Sequence, residues 1–140
     1  MTRFAAEIVP NPASISELTE RASEFLRTEG VDDRAVHHVS LVLDELLTNV
    51  GSHGGQSDVP ASIRLEVDAE QVRGEIGDSG SQFDPRKAPE PNTSAPAEER
   101  KVGGLGLLLV QRLTSSLDYR SEGRQNWTTF CISRKTSERE

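Results

Sequence analysis

The sequence has a single cysteine, Cys131, and no long run of apolar residues. One thiol forms no internal disulfide, and its place between Phe130 and Ile132 predicts a buried structural thiol. No stretch reaches the roughly 20 apolar residues needed to span a bilayer, and the segment from Met1 to Phe4 lacks the apolar core of a signal peptide. These absences predict a protein of the reducing cytoplasm that does not enter a membrane.

Positive charge is also scarce, because 16 Lys and Arg residues face 23 Asp and Glu residues, for a formal net charge of -7. Binding a polyanion requires a basic footprint, so this balance argues against a direct nucleic-acid partner. A small phosphorylated ligand remains compatible, since backbone N–H groups and a bound cation can hold phosphates locally. The P-loop pattern Gly-Lys-Ser/Thr is absent, and no parallel βαβ unit supports a dinucleotide fingerprint.

Apolar periodicity predicts the order β-α-α-β-β-loop-α-β-β within one domain over residues 1–140. The predicted helices cover residues 13–27, about 33–50 and 105–113; the strands cover 4–9, 63–67, 72–76, 117–121 and 127–133; the loop covers 78–102. Gly51, Gly54 and Gly55 are expected to break the second helix after about Val50. Three helices on one face of a mixed, mostly antiparallel sheet would form a two-layer α+β sandwich.

The second predicted helix carries Glu45 and Asn49, which are four residues apart and so project from one face. An Asn oxygen is a hard ligand that suits Mg²⁺, and a carboxylate beside it can polarise an attacking hydroxyl or water. A solvated helix face with ordinary polar residues has the same spacing, so this segment alone does not decide between the two interpretations.

Asp78 and Gly80 follow directly after a predicted strand and begin a segment that ends in Phe83-Asp84-Pro85. A carboxylate at a strand end can accept a hydrogen bond from an exocyclic amine such as that of adenine. Glycine lets the backbone approach a flat ring closely. An ordinary Asp-Ser-Gly turn is the alternative interpretation of this segment.

Gly104 and Gly106 alternate with Leu105 and Leu107 at the start of the third predicted helix. Glycines at this position bring backbone N–H groups towards an anion, and the helix dipole favours negative charge there. A flexible junction between loop and helix has the same composition, so the glycines alone are a weak signal.

Taken together and in this order, the three segments resemble the N, G1 and G2 boxes of the GHKL ATPase superfamily. Within it they are most similar to the bacterial anti-sigma-factor serine kinases, single-domain ATPases that bind sigma factors and phosphorylate anti-anti-sigma proteins. The resemblance spans nearly the whole chain, and a G1 box ending in Phe-Asp-Pro is more specific than a bare Asp-x-Gly. The resembling residues are Glu45-Leu46-Leu47-Thr48-Asn49 with His53-Gly54, Asp78, Gly80 and Phe83-Asp84-Pro85, Gly104-Leu105-Gly106-Leu107 with Val110, and Gly123-Arg124, Asn126 and Thr129.

This resemblance implies ATP and Mg²⁺ as cofactors and gives each matching residue a role. Glu45 would be the general base for the acceptor hydroxyl, and Asn49 would coordinate Mg²⁺. Asp78 would bind the adenine amino group, with Thr129 assisting from the last strand. The other nucleotide-contacting residues would be Gly80, Phe83, Gly104, Leu105, Gly106 and Leu107. Residues of about 79–102 would form a lid over the ATP.

These roles predict an ATP-dependent serine/threonine kinase that phosphorylates a STAS-type anti-anti-sigma partner and sequesters a sigma factor. Related proteins commonly dimerise, so a homodimer is a further expectation. The alternative is a nucleotide-gated sequestering module with little or no kinase activity, which Glu45 disfavours because sequestration needs no base. A histidine kinase fragment would need a dimerisation helix pair with a phospho-acceptor histidine, for which the chain is too short. His37 and His38 are interpreted as surface or packing residues.

Overall fold

An antiparallel sheet carries the helices on one of its faces in the computed structural model, which describes residues 2–53, 59–80, 82–87 and 102–134. The strands are β1 (Thr2–Ile8), β2 (Ala61–Val67), β3 (Gln71–Asp78), β4 (Ser116–Glu122) and β5 (Gln125–Ser133), and the helices are α1 (Pro12–Thr28), α2 (Asp33–His53) and α3 (Val102–Leu113). The spatial strand order is β1-β2-β3-β5-β4, and each of these neighbouring pairs is antiparallel. The predicted two-layer α+β sandwich is therefore confirmed.

Helix α1 begins with a capping box. The Asn11 side chain accepts a hydrogen bond from the Ser14 N–H (2.9 Å), and the Ser14 hydroxyl accepts one from the Asn11 N–H (3.1 Å). Pro12 then occupies the first helical turn, where a missing N–H costs nothing. The buried stripe of α1 consists of Ile15, Leu18, Ala22 and Leu26. The capping residues and the apolar spacing therefore both predict the helix that the structure shows here.

Helix α2 begins after Asp32, whose carboxylate accepts a hydrogen bond from the Ala35 N–H at 2.8 Å. It continues to His53, three residues beyond the predicted end at about Val50, so Gly51 does not break the helix as predicted. A Cβ atom at position 51 would lie 3.1 Å from the Pro10 carbonyl oxygen. Glycine lets the helix pack closely against the β1–α1 junction, and this packing outweighs its low helix propensity.

Strand β5 sorts its side chains onto two faces because successive residues of a strand point in opposite directions. Phe130 and Ile132 enter the core on the helix side, where the Phe130 ring lies over Gly74 of β3. Trp127 and Cys131 lie on the outer face, and Cys131 is buried as predicted. A turn at Gly123, which has φ +62°, joins β4 to β5.

Candidate functional site

An open cleft lies between α2 and the helix-side face of the sheet, with an empty volume of about 400 Å³ that includes space open to solvent. Ligand-binding clefts commonly place a few polar groups among apolar walls. Leu46, Val50 and Ile76 supply apolar surface here. The other lining residues are Asn49, Asp78, Phe83, Pro85, Tyr119, Asn126 and Thr128.

Helix α2 places Asn49 in the cleft wall, and the Asn49 amide nitrogen donates at 3.2 Å to the carboxylate of Glu45, which lies beside the cleft lining. An ionised carboxylate only accepts hydrogen bonds, so the amide nitrogen must face Glu45 and the amide oxygen lies outside that bond. Asn49 lines the cleft, and its oxygen is the type of ligand that Mg²⁺ prefers. The donor set of this helix face therefore fits a magnesium ion that also contacts ligand phosphates.

The Glu45 carboxylate packs directly against Gly106 of α3. A Cβ atom at position 106 would overlap the carboxylate, so the close approach requires glycine there. Burial raises the pKa of Glu45; the Asn49 hydrogen bond opposes this shift, and the nearby charge of Asp44 adds to it. A carboxylate with a raised pKa is a stronger proton acceptor, as a general base requires.

Asp78 ends β3 on the opposite side of the cleft and is only 8% exposed. Its Oδ1 atom accepts two hydrogen bonds, from the Gly80 N–H at 2.8 Å and from the Asn126 amide at 3.1 Å. Within the described ranges no hydrogen bond reaches Oδ2 of Asp78. This oxygen is thus an acceptor for a donor group on a ligand, such as an exocyclic amine.

Asn126 extends the polar wall. Its amide nitrogen also donates to the Gly80 carbonyl at 2.9 Å, and its oxygen accepts from the hydroxyls of Ser121 (2.9 Å) and Tyr119 (3.2 Å). The sequence had indicated Asn126 only as part of a resembling hairpin, and it gave no signal for Tyr119. Both residues reach the cleft because β5 lies between β3 and β4, an adjacency that local patterns do not contain.

Thr129 does not lie in the cleft. It pairs with Glu75 and Asp118 on the outer face of the sheet, whereas Thr128 is 8% exposed and lines the cleft. The predicted position of Thr129 beside the adenine is therefore wrong by one residue. Strand alternation is the reason, since neighbouring residues of β5 face opposite sides.

The segment of residues 82–87 closes one end of the cleft, with Phe83 and Pro85 among the lining residues. It ends in a short 3₁₀ turn over Pro85–Lys87, which α3 holds through the Gln111 side-chain amide. This amide donates to the carbonyl oxygens of Pro85 (3.0 Å) and Arg86 (3.2 Å). The start of the predicted lid is thus an anchored turn, and the lid residues 88–101 lie outside the described residues.

Helix α3 begins at Val102, three residues before the predicted start at 105, so Gly104 already belongs to the helical backbone. The side chain of Leu105 lies outside the described residues. Leu107 is 2% exposed and packs in the hydrophobic core, so its predicted contact with a nucleotide gives way to a packing role. Gly106 is the residue of this motif that the structure brings against Glu45.

The family model described as "Histidine kinase-like ATPase domain" matches residues 8–132. The chain belongs to this family. The resemblance to GHKL ATPases is therefore confirmed, and ATP is the nucleotide expected in the cleft. No curated protein matches the chain significantly.

Solved structures of this ATPase fold include several similar chains. The RsbU and RsbW domains of Rv1364c from Mycobacterium tuberculosis match with a TM-score of 0.69 and 15% identity, over 96% of this chain and 33% of that chain. The SiaB-SiaC complex from Pseudomonas aeruginosa matches with a TM-score of 0.59 and 13% identity, over 93% of this chain and 89% of that chain. The Acinetobacter baumannii histidine kinase AdeS matches with a TM-score of 0.52 and 17% identity, over 94% of this chain and 68% of that chain. This ATPase domain thus spans about a third of the length of the first of these structures, and identities this low establish the fold alone.

None of the helices in the described ranges has the length and apolar character required to cross a membrane.

Proposed function

We propose that this ATPase domain is a cytoplasmic serine/threonine-protein kinase that uses Mg-ATP to phosphorylate a STAS-type anti-anti-sigma partner and that sequesters a sigma factor. The observation that carries the proposal is that Asn49 and Asp78 line one cleft, while Glu45 is hydrogen-bonded to Asn49 beside it. A proton acceptor and a cation ligand are two of the parts that recur in phosphoryl transfer from ATP, and an amine acceptor can hold the adenine ring.

The base of the nucleotide has a site of matching chemistry. Asp78 offers Oδ2 to the adenine amino group, while Leu46 and Ile76 supply apolar surface for a flat ring. Thr128, rather than Thr129, contributes the hydroxyl on this wall. A few fixed polar groups among apolar walls give orientation as well as affinity.

The phosphate end lies towards Glu45, Asn49 and Gly106. Asn49 would hold the Mg²⁺ ion, which supplies positive charge to the phosphate oxygens during transfer. Glu45 accepts the proton of the serine or threonine hydroxyl as the hydroxyl oxygen bonds to the γ-phosphorus and the bond to the ADP oxygen breaks. The raised pKa of Glu45 suits this task.

The partners rest on the resemblance of the motifs to anti-sigma-factor kinases. The same resemblance supports a homodimer, which light scattering coupled to size-exclusion chromatography tests. The shared fold is compatible with these partners but is too general to select them.

The decisive experiment combines calorimetry of Mg-ATP binding with transfer of radiolabel from ATP to STAS proteins from the same genome. The wild type is expected to bind Mg-ATP and label a serine or threonine, Glu45→Ala to bind without labelling, and Asn49→Ala to lose Mg²⁺-dependent binding. Glu17→Ala is the control, because Glu17 is an exposed carboxylate on α1 and is not among the residues that line the cleft. Labelling by Glu45→Ala would refute the proposed base. Binding without labelling by the wild type would favour the sequestering module.

A further inference from the structure

Asn126 is only 2% exposed, and its side chain connects Asp78 to Tyr119 through hydrogen bonds in the wall of the cleft. Its amide nitrogen donates to Asp78 Oδ1 (3.1 Å) and to the Gly80 carbonyl (2.9 Å). Its oxygen accepts from Ser121 (2.9 Å) and Tyr119 (3.2 Å). Both amide protons and both lone pairs of this side chain thus have partners, as a buried amide requires.

The polarity of this network follows from its chemistry. A carboxylate and a carbonyl only accept, so the Asn126 nitrogen must face Asp78 and Gly80. Its oxygen then faces the two hydroxyls, and each hydroxyl must donate its proton to it. The Tyr119 oxygen is left as an acceptor, and the Phe83 N–H donates to it at 3.2 Å. One directional chain of hydrogen bonds therefore runs from the cleft wall at Phe83 to Asp78.

We propose that Asn126 and Tyr119 are positioning residues that make the cleft selective for 6-aminopurines over 6-oxopurines, an inference that rests on the proposed ATP site. The Asn126 amide and the Gly80 N–H both donate hydrogen bonds to Asp78 Oδ1. Because these bonds fix the orientation of the carboxylate, Oδ2 is held in one position. An amine satisfies that oxygen, whereas the carbonyl oxygen of a 6-oxopurine meets it as a second acceptor and is repelled. Tyr119 ties the Phe83 wall to the same network.

The first test replaces Asn126 by aspartate, which keeps the shape and removes the donor that faces Asp78. The network then holds two carboxyls in hydrogen-bond contact, and such a pair shares one proton. Asp78 and Tyr119 are the titratable side chains that the described structure already places in this network. At alkaline pH the two carboxylates repel each other; as the pH falls, one becomes protonated and can again donate to its neighbour.

Calorimetry with Mg-ADP and Mg-IDP over a series of pH values from alkaline to acidic measures this effect. The wild type is expected to prefer Mg-ADP at every pH. For Asn126→Asp at alkaline pH we expect Mg-ADP to bind about 10- to 100-fold more weakly, as for a lost charge-assisted hydrogen bond, and the preference over Mg-IDP to shrink. Both should recover towards the wild type as the pH falls.

A second, milder pair of variants keeps the inference testable if Asn126→Asp does not fold. Tyr119→Phe and Ser121→Ala each remove one hydroxyl donor to the Asn126 oxygen, but only the Tyr119 hydroxyl also accepts from the Phe83 N–H. Tyr119→Phe should weaken Mg-ADP binding about 2- to 10-fold and lower the Mg-ADP to Mg-IDP preference. Ser121→Ala should have the smaller effect on both.

The outcomes separate the two proposals. A wild type that binds neither nucleotide overturns the ATP site and this inference with it. A wild type that prefers Mg-ADP, with the preference unchanged in Asn126→Asp and in Tyr119→Phe, overturns this inference alone. Equal losses in Tyr119→Phe and Ser121→Ala overturn the role of the Phe83 tether. A loss of affinity that is the same for both nucleotides and independent of pH indicates damage to the fold and overturns the positioning role.

Discussion

The side-chain amide of Asn49 donates a 3.2 Å hydrogen bond to the Glu45 carboxylate one helical turn away. This bond favours the ionised form of Glu45, while burial favours the neutral form and sets the net direction of the pKa shift. The two residues that the sequence assigns to metal binding and proton transfer are therefore coupled electrostatically before any ligand arrives.

Removal of that hydrogen bond should raise the pKa of Glu45 further. In Asn49→Ala the ionised carboxylate loses a donor while burial of the site continues to disfavour charge. Carboxyl carbon chemical shifts in a pH titration measure the effect. Asp44→Asn is the opposing control, since removal of the neighbouring negative charge should lower the pKa of Glu45. Shifts in the same direction for both variants would contradict this account.

Replacement of Glu45 by glutamine should stabilise the protein at neutral pH. The folded-state pKa of Glu45 is raised above its unfolded value, so the stability that the protonated group contributes is present at low pH and is lost as the pH rises through the folded-state pKa. Glu45→Gln carries no ionisable group and avoids that loss. Thermal melts should show a higher midpoint for Glu45→Gln near neutral pH and equal midpoints in acid, where both side chains are neutral. A difference that is equally large in acid would point to packing instead.

A methyl group at position 106 should act through Glu45. In the wild-type background the Cβ atom of Gly106→Ala displaces the carboxylate, so phosphoryl transfer is expected to fall sharply. In a Glu45→Ala background that clash is absent, and Gly106→Ala should stabilise α3 by about 1 kcal/mol through helix propensity. Denaturant unfolding of the four proteins gives the coupling free energy, expected at about 0.5–3 kcal/mol. Additive effects would mean that the two side chains do not meet.

The two neighbouring threonines of β5 should respond differently to the same substitution. Thr128→Val removes a hydroxyl from the cleft and should weaken Mg-ADP binding about 2- to 10-fold. Thr129→Val changes the outer face of the sheet and should leave binding unchanged. Valine preserves shape and strand propensity at both positions, so calorimetry compares hydroxyl groups alone. A larger effect at Thr129 would restore the assignment made from the motif.

Helix and strand periods were sufficient to predict the element order, because apolar spacing reports local geometry directly. The length of α2 was not predictable in this way. Gly51 has low helix propensity. Glycine suits this position because the backbone packs closely against the carbonyl of Pro10, which is distant in sequence. Tertiary packing of this kind leaves no local pattern.

The candidate site likewise has one part that the sequence predicts and one part that it does not. Glu45 and Asn49 lie one helical turn apart, so the sequence alone brings them together. The contact of Asn126 with Asp78 depends on the register of β5 against β3, which pairs these two residues across the sheet. The error of one residue at Thr129 has the same origin, because motif spacing does not fix which face a residue occupies.

Gly123 sets the register of β5 against β4, because its left-handed backbone, at φ +62°, determines where the β4–β5 hairpin reverses. A single inserted residue in this turn would shift the frame of β5 by one position and exchange its two faces. Trp127 would then point inwards at the position that Thr128 now occupies, and the Asn126 amide would be turned to the outer face of the sheet. A glycine turn that is not part of the cleft lining thus decides which face of β5 the cleft meets.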